Sequence, residues 1–305
     1  LLADSTDNDI VVLEKAIDKL EEAKKNEAIK NIYLHINQRI KPSNPKKGIL
    51  FIKSIEYIEQ KNQNKSLINL EKKLDKFNLK RKEEEDIVFL LGKRFDSILE
   101  YDKAIKYYKR SIELNIKMYG NKHNSIGFTN NFLGIVFMDK GEYDKAIDHY
   151  EKGLEIIGKK HSFSKNIYSN LGTAWRHKSE YDKSIKFSHK ALELALKING
   201  KYHDTTSIIY NNIGVVYSDM SNYTKAEEYY KKALKIRRKL YGEMNSNISV
   251  SYNNLGTICN NKGEYDKAIE YHEKSLAIDL KVHGEEHPST GTTYNNLGSA
   301  WVEKE

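Results

Sequence analysis

Paired asparagines recur between an aromatic and an aliphatic residue along this chain. The segments are YNNIG at 210–214 and YNNLG at 252–256 and 294–298. A carboxamide side chain offers one acceptor and two donors, which match the C=O and N–H groups of an extended peptide backbone. Asparagine is a mediocre helix former that favours caps and turns. Its repeated use therefore indicates either a series of turns or a helix position where a carboxamide is useful.

Histidine is the second residue type with potential chemistry. Four of the ten histidines occupy the same place in a repeating pattern, where Asn245 stands in for a fifth. They are spaced too far apart to share a metal ion, so we expect them to cap loops. No Gly-rich phosphate loop, HExxH or EF-hand pattern is present, and the sequence predicts no catalytic residue, cofactor or metal. The four histidines are His123, His161, His203 and His287.

Composition narrows the class of protein further. The net charge of +8 comes from 51 basic and 43 acidic residues interleaved along the chain, which argues against a local basic patch for nucleic acid. The longest apolar run is shorter than 18 residues, so no membrane-spanning helix is expected. The single cysteine, Cys259, excludes an internal disulfide framework and is expected to be a small buried hydrophobe. A reducing, cytoplasmic location is consistent with these features.

A repeat of 42 residues dominates the sequence from about residue 85 onward. Two marker series show it, with steps of 42 residues except for one step of 38. Such periodicity is typical of a solenoid. The markers are Gly92, Gly134, Gly172, Gly214, Gly256 and Gly298, and Tyr101, Tyr143, Tyr181, Tyr223 and Tyr265.

Each repeat predicts two antiparallel helices joined by a short turn. In the repeat that starts at Ser249, the first helix has an i, i+3, i+4, i+7 stripe and NKGEY (261–265) forms the turn. The irregular step lacks four residues just before Gly158, about one helical turn, so we expect one shorter helix there. The predicted buried positions are Tyr252, Leu255, Gly256 and Cys259, then Ala268, Ile269, His272, Ser275, Leu276 and Leu280.

The repeat resembles the tetratricopeptide repeat in its 42-residue, kinesin-light-chain-like form. The resemblance covers five full repeats and the first helix of a sixth, residues 85–305, and includes YNNLG and the loop LKVHGEEHPST at 280–290. It implies an all-α, right-handed superhelical solenoid of antiparallel helix pairs. The matching residues are Leu255, Gly256, Ala268 and Ser275 in one repeat and Ile213, Gly214, Tyr217, Ala226, Tyr230 and Ala233 in the previous one.

Residues 1–84 form a separate region in this interpretation. Three stretches with helical apolar patterns, at 10–40, 49–60 and 65–79, predict divergent helical pairs that cap the array or occupy its groove. A separate helical domain is the alternative. The chain starts without methionine or a leader and ends within a repeat, so we expect no signal peptide and a piece of a longer protein.

In the repeat that starts at Ser249, Asn254 falls on the side of the first helix almost opposite its buried stripe, and Asn253 lies on the adjacent flank. When such helices stack, this side lines the inner wall of the array, with Arg176 and His177 beside it in one repeat. The first repeat instead has Phe89 and Leu90, which predicts a more apolar wall there. The first column is Asn170, Asn212, Asn254 and Asn296, and the second column is Asn131, Asn211, Asn253 and Asn295.

These columns predict a non-catalytic scaffold for protein–protein interaction. The resemblance implies that first-column asparagines clamp an extended peptide of a partner, and the alternative is that they bond only to neighbouring helices or water. A further alternative makes the array the sensor arm of a larger signalling ATPase or caspase-like protease. A basic RNA-binding solenoid would show steeply salt-dependent binding. The partner's identity and the oligomeric state stay open.

Overall fold

The described part of the chain is built of α-helices. A computed structural model describes residues 81–305, together with Ile49 and Leu67, and these residues contain no strand. The predicted helices of residues 1–80 lie outside the described residues, so the division at residue 84 stays a prediction. The helices are α1 Arg81–Ser97, α2 Tyr101–Tyr119, α3 Asn124–Asp139, α4 Tyr143–Ile157, α5 Ser164–His177, α6 Tyr181–Asn199, α7 Asp204–Asp219, α8 Tyr223–Tyr241, α9 Ser246–Asn261, α10 Tyr265–Val282 and α11 Pro288–Lys304.

Consecutive helices pack as pairs, α1 with α2 through α9 with α10, and α11 packs on α10. The chain divides into two compact units, Leu1–Ile157 and Gly158–Glu305. The described helices of the first unit are α1 to α4, and the second unit holds α5 to α11. The expected all-α architecture of helix pairs is confirmed.

A glycine in each first helix allows the second helix to approach closely. In the second repeat, a Cβ built on Gly134 would lie 2.4 Å from the ring of Tyr150. The aromatic ring therefore lies directly against the glycine, and no larger residue fits without displacing it. The same arrangement joins Gly92 to Tyr108, Gly214 to Tyr230 and Gly256 to the imidazole of His272.

The turn within each pair requires a left-handed residue. Gly141 and Gly263 have φ of 74° there, as the NKGEY pattern predicts. The equivalent residues Leu99, Ser179 and Ser221 have φ of 63°, 60° and 55°. A positive φ is uncommon for residues other than glycine, so the packing of the two helices imposes this turn even where the sequence does not favour it.

The recurring histidines cap the loops between repeats, as expected. The Nδ1 atoms of His123, His161, His203 and His287 each accept a hydrogen bond from the backbone N–H two residues later, at 3.1–3.4 Å. The Oδ1 atom of Asn245 accepts the equivalent bond at 2.9 Å. The same cap thus recurs at each loop between repeats, with imidazole or carboxamide as the acceptor.

The four-residue deletion shortens a helix, as the spacing predicts. Helix α4 has 15 residues, whereas α2, α6 and α8 have 19 each. Removing about one turn preserves which side chains face the partner helix, so Ala146 and Tyr150 keep their buried places in α4.

The core follows the predicted stripe with one exception in α10. Leu255 and Cys259 of α9 are buried, and burial raises the pKa of the Cys259 thiol. Leu280 was expected on the buried side and is instead 39% exposed, whereas Asp279 is 2% exposed. Asp279 is buried because its carboxylate accepts hydrogen bonds from Ser249 Oγ at 2.5 Å and Thr293 Oγ1 at 2.8 Å. These bonds tie three consecutive helices together, which a hydrophobic pattern cannot reveal.

Candidate functional site

The asparagine columns of the second unit are cross-linked. Asn254 Nδ2 donates to Asn211 Oδ1 at 3.1 Å, and Asn296 Nδ2 donates to Asn253 Oδ1 at 3.0 Å. A first-column amide of one repeat therefore bonds to the second-column amide of the preceding repeat, 43 residues earlier. Helical-wheel reasoning places the columns side by side and misses this bond, which needs the register between repeats.

Asn212 lies at the equivalent first-column position but donates its hydrogen bond to a different acceptor. Its Nδ2 donates to Ser169 Oγ at 3.4 Å, since serine replaces the second-column asparagine in that repeat. One N–H group of Asn212, Asn254 and Asn296 is therefore bonded to a neighbouring helix, and whether their other groups bind a peptide stays a prediction.

Each of these amides keeps two groups for a ligand. Asn212, Asn254 and Asn296 are half-buried, and one N–H of each is used in the bonds above. Within the described part of the chain, the second N–H and the Oδ1 of these three residues have no hydrogen-bond partner. The cross-links hold the amides in place, so these groups are presented in a fixed orientation.

The second column serves mainly to support the first. Asn253 Oδ1 accepts from Asn296 and also lies 2.8 Å from His272 Nδ1. Burial lowers the pKa of His272 to about 4, so at neutral pH this ring is uncharged and its Nδ1–H donates to Asn253. Asn253 Oδ1 thus has both acceptor positions filled.

The remaining predicted asparagines differ in accessibility. Asn170 is half-buried in α5, and Asn295 is exposed in α11. Asn131 lies in the first unit with only 4% of its surface exposed, so its carboxamide is not accessible to a peptide. The sequence assigned Asn131 to the wall because its position in the repeat matches, but burial depends on the neighbouring side chains.

Arg176 and His177 form a polar cluster with the next repeat. Arg176 Nη1 pairs with Asp219 Oδ2 at 2.8 Å, and Arg176 Nη2 lies 3.0 Å from His177 Nε2. Burial, and then the adjacent guanidinium, lowers the pKa of His177. Because Asp219 neutralises the guanidinium, Arg176 presents little net positive charge to a ligand.

A cleft opens beside this cluster, between α5, α6 and α7. Its volume is about 90 Å³. Ser188 lies at its base, at the position where other repeats have a tyrosine or a histidine, and we call it the Ser188 cleft. Sequence reasoning did not find the cleft, although the missing aromatic was the signal for it. The lining residues are Gly172, Thr173, Arg176, Ser188, Asn212, Val215 and Val216.

The first unit has aromatic rings where the second has asparagines. Phe89 and Phe132 meet edge to face with centroids 5.3 Å apart, and Tyr108 stacks on Phe132 at 5.8 Å. The prediction of a more apolar wall in the first repeat agrees with this cluster.

Residues 81–305 meet neither the requirements of a metal site nor those of a membrane-spanning helix. In the described part of the chain, no three His, Cys, Asp or Glu side chains are grouped to hold an ion. Among residues 81–305, no helix combines the length and the hydrophobicity that crossing a bilayer requires.

Solved structures share this fold. BtubC (BKLC) from P. vanneervenii is 24% identical over 67% of this chain and 84% of its own, with a TM-score of 0.58. A putative kinesin light chain of Podosopora anserina with nearly identical TPR-like repeats is 15% identical over 64% of this chain and 95% of its own, with a TM-score of 0.56. The apo form of RapI is 15% identical over 95% of this chain and 86% of its own, with a TM-score of 0.64. At these identities the likeness is one of fold.

Sequence comparison identifies the family. No curated protein sequence matches the chain. The tetratricopeptide repeat profile matches residues 99–158, 165–239 and 247–301, which is more than half of the chain. With its paired helices and glycine-mediated packing, the chain belongs to the tetratricopeptide repeat family.

Proposed function

We propose that this chain holds an extended peptide of a partner protein along the first asparagine column of its second unit. Tetratricopeptide repeats generally act as non-catalytic scaffolds for protein–protein interaction, and the proposal names the surface used here. The contact residues are Asn212, Asn254 and Asn296, with Asn170 continuing the column toward α5.

The observation that supports this proposal is the hydrogen bond that each of these amides makes to the preceding repeat. Each uses one N–H to bond to the preceding repeat and directs a second N–H and a carbonyl away from that bond. Donor and acceptor together match a peptide group regardless of its side chain. Because the cross-links fix the amides before binding, less conformational entropy is lost when the peptide docks.

The test is a double variant, Asn212→Ala with Asn254→Ala. The probe is a synthetic library of random dodecapeptides, from which peptides retained by the immobilised chain are identified and their Kd measured. Each lost amide removes up to two hydrogen bonds of about 1 kcal/mol each, so we expect affinity to fall at least tenfold.

A matched control removes two asparagines elsewhere. Asn121 and Asn247 are exposed loop and helix-start residues outside both columns. Asn121→Ala with Asn247→Ala should leave affinity unchanged. Equal affinity of the column variant and the unmodified chain, with the same helical circular dichroism, would refute the clamp.

The sensor-arm alternative concerns what flanks the array in the full-length protein rather than what the column binds. The full-length sequence discriminates directly. A phosphate-binding loop or a Cys/His catalytic pair outside these residues would favour it.

A further inference from the structure

The third repeat lacks the aromatic side chain that the other described pairs place against the first-helix glycine. Tyr150 and Tyr230 approach the Cβ position of their glycines to 2.4 and 2.7 Å through ring atoms. In the third repeat the only atom so close to Gly172 is Ser188 Oγ, at 2.4 Å. A whole phenol ring is therefore missing from this one pair.

The missing ring leaves the Ser188 cleft. Its volume of about 90 Å³ is well below the roughly 150 Å³ of an engineered apolar cavity that binds benzene. By that comparison the cleft admits about three or four heavy atoms, enough for the side chain of valine, leucine or isoleucine and too few for a ligand's aromatic ring.

The base of the cleft is mostly apolar, with the hydroxyl of Ser188 as its polar group, and the opening is polar. Gly172, Ser188 and Val216 are buried and form the base, whereas Asn212 and Arg176 are half-buried and form the rim. The pairing of Arg176 with Asp219 leaves no unbalanced charge at the rim. A charged ligand group would lose its hydration here without compensation, so the lining favours an aliphatic group.

The geometry points to the Ser188 cleft as a specificity pocket for one aliphatic side chain of the bound peptide. This inference rests on the proposed function, because Asn212 belongs both to the first column and to the rim. A peptide group bonded to Asn212 brings a neighbouring side chain to the opening. The column then holds any backbone, and the cleft selects valine, leucine or isoleucine at a single position.

The experiment fills the cleft with the residue that the other repeats use. Ser188→Tyr restores the phenol found at the same place in Tyr108, Tyr150 and Tyr230, so the helix pair is expected to fold normally. The probe is a positional-scanning library of acetylated nonapeptides, scored by retention on the full chain. The unmodified chain should prefer valine, leucine or isoleucine at least tenfold over phenylalanine and aspartate at one position.

Ser188→Tyr should abolish that preference, while backbone-dependent retention remains. Ser188→Ala is the matched control, since it keeps the space, and it should retain the preference. Retention without an aliphatic preference, or a preference that Ser188→Tyr leaves intact, would overturn the pocket but not the column. Failure of the unmodified chain to retain any peptide would overturn the proposed function, and the pocket with it.

Discussion

The two units use the same position of the repeat for opposite electrostatics. In the second unit, Arg176 pairs with Asp219, 43 residues later. In the first unit, the residues at this spacing are both acidic, Asp96 and Asp139. Burial, and then the charge of Asp139, raises the pKa of Asp96 to about 6. One backbone register thus supports either an ion pair or a repulsive pair.

The residues beside these pairs also differ in chemistry between the two units. Phe89 and Phe132 form an aromatic cluster in the first unit, whereas Asn211 and Asn254 form a hydrogen-bonded pair in the second. In both units the glycine and its opposing side chain build the helix pair. The difference shows that the wall can change its chemistry without changing the fold.

The largest expected effect is a difference in stability between equivalent glycine substitutions in the two units. Gly134→Ala places a methyl group against the ring of Tyr150, which is 1% exposed and cannot move aside. Overpacking of this kind costs about 2 kcal/mol. Gly172→Ala meets the rotatable Ser188 hydroxyl at 2.4 Å and the backbone oxygen of Ser184 at 3.3 Å, so the strain is smaller. The better helix propensity of alanine, about 1 kcal/mol, offsets part of it. Urea unfolding of both variants measures the difference, and equal destabilisation would contradict it.

An acid-dependent loss of stability is expected from His272 in the second unit. The folded pKa of about 4 lies below the ordinary histidine value of 6.5, so the unfolded chain binds this proton more readily. Stability is therefore complete above pH 6.5 and falls as pH drops toward 4, by about 2 kcal/mol. His272→Tyr introduces the residue that the preceding repeat has at the equivalent position, Tyr230. This substitution should remove this part of the pH dependence. If the free energy of unfolding changed equally with pH in both proteins between pH 7.5 and 4.5, the prediction would be refuted.

The acidic pair of the first unit has the opposite pH dependence. The pKa of Asp96 is raised from 3.8 to about 6, so its stabilising contribution is present below pH 3.8 and is lost as pH rises through 6. Asp96→Asn should raise stability at pH 7.5 by roughly 1 kcal/mol after allowance for solvent screening. The gain should vanish near pH 4. Asp139→Asn should lower the pKa of Asp96, measurable by NMR titration of its carboxyl carbon, and an unchanged value would argue against the pair.

The smallest effect is expected for the ion pair of the second unit. Arg176 and Asp219 retain 24% and 33% side-chain exposure, so Arg176→Met should cost only about 0.5 kcal/mol. Added salt screens such pairs, and the difference between variant and unmodified chain should shrink at 1 M NaCl. Arg176→Lys, which keeps the charge, should lie between the two. A salt-independent difference would show that packing rather than charge is responsible.

Some features of the site could be predicted from the sequence, and others depend on the tertiary structure. The asparagine columns follow from the repeat, because a constant 42-residue spacing places equivalent residues on equivalent faces. The cross-link between Asn254 and Asn211 depends on the register between repeats, which no single-helix pattern contains. The burial of Asn131 and Asp279 likewise depends on side chains far away in the sequence.

The sequence by itself determined the helix pairs, the glycine turns, the capping histidines and the position of the shortened helix α4. These are local properties, repeated often enough to be read from spacing alone. Tertiary structure decided which amide groups are already bonded, which charges are neutralised, and that replacing one aromatic by Ser188 opens a cleft beside Asn212. A missing ring becomes a cavity only when the helices around it keep the spacing that the other repeats impose.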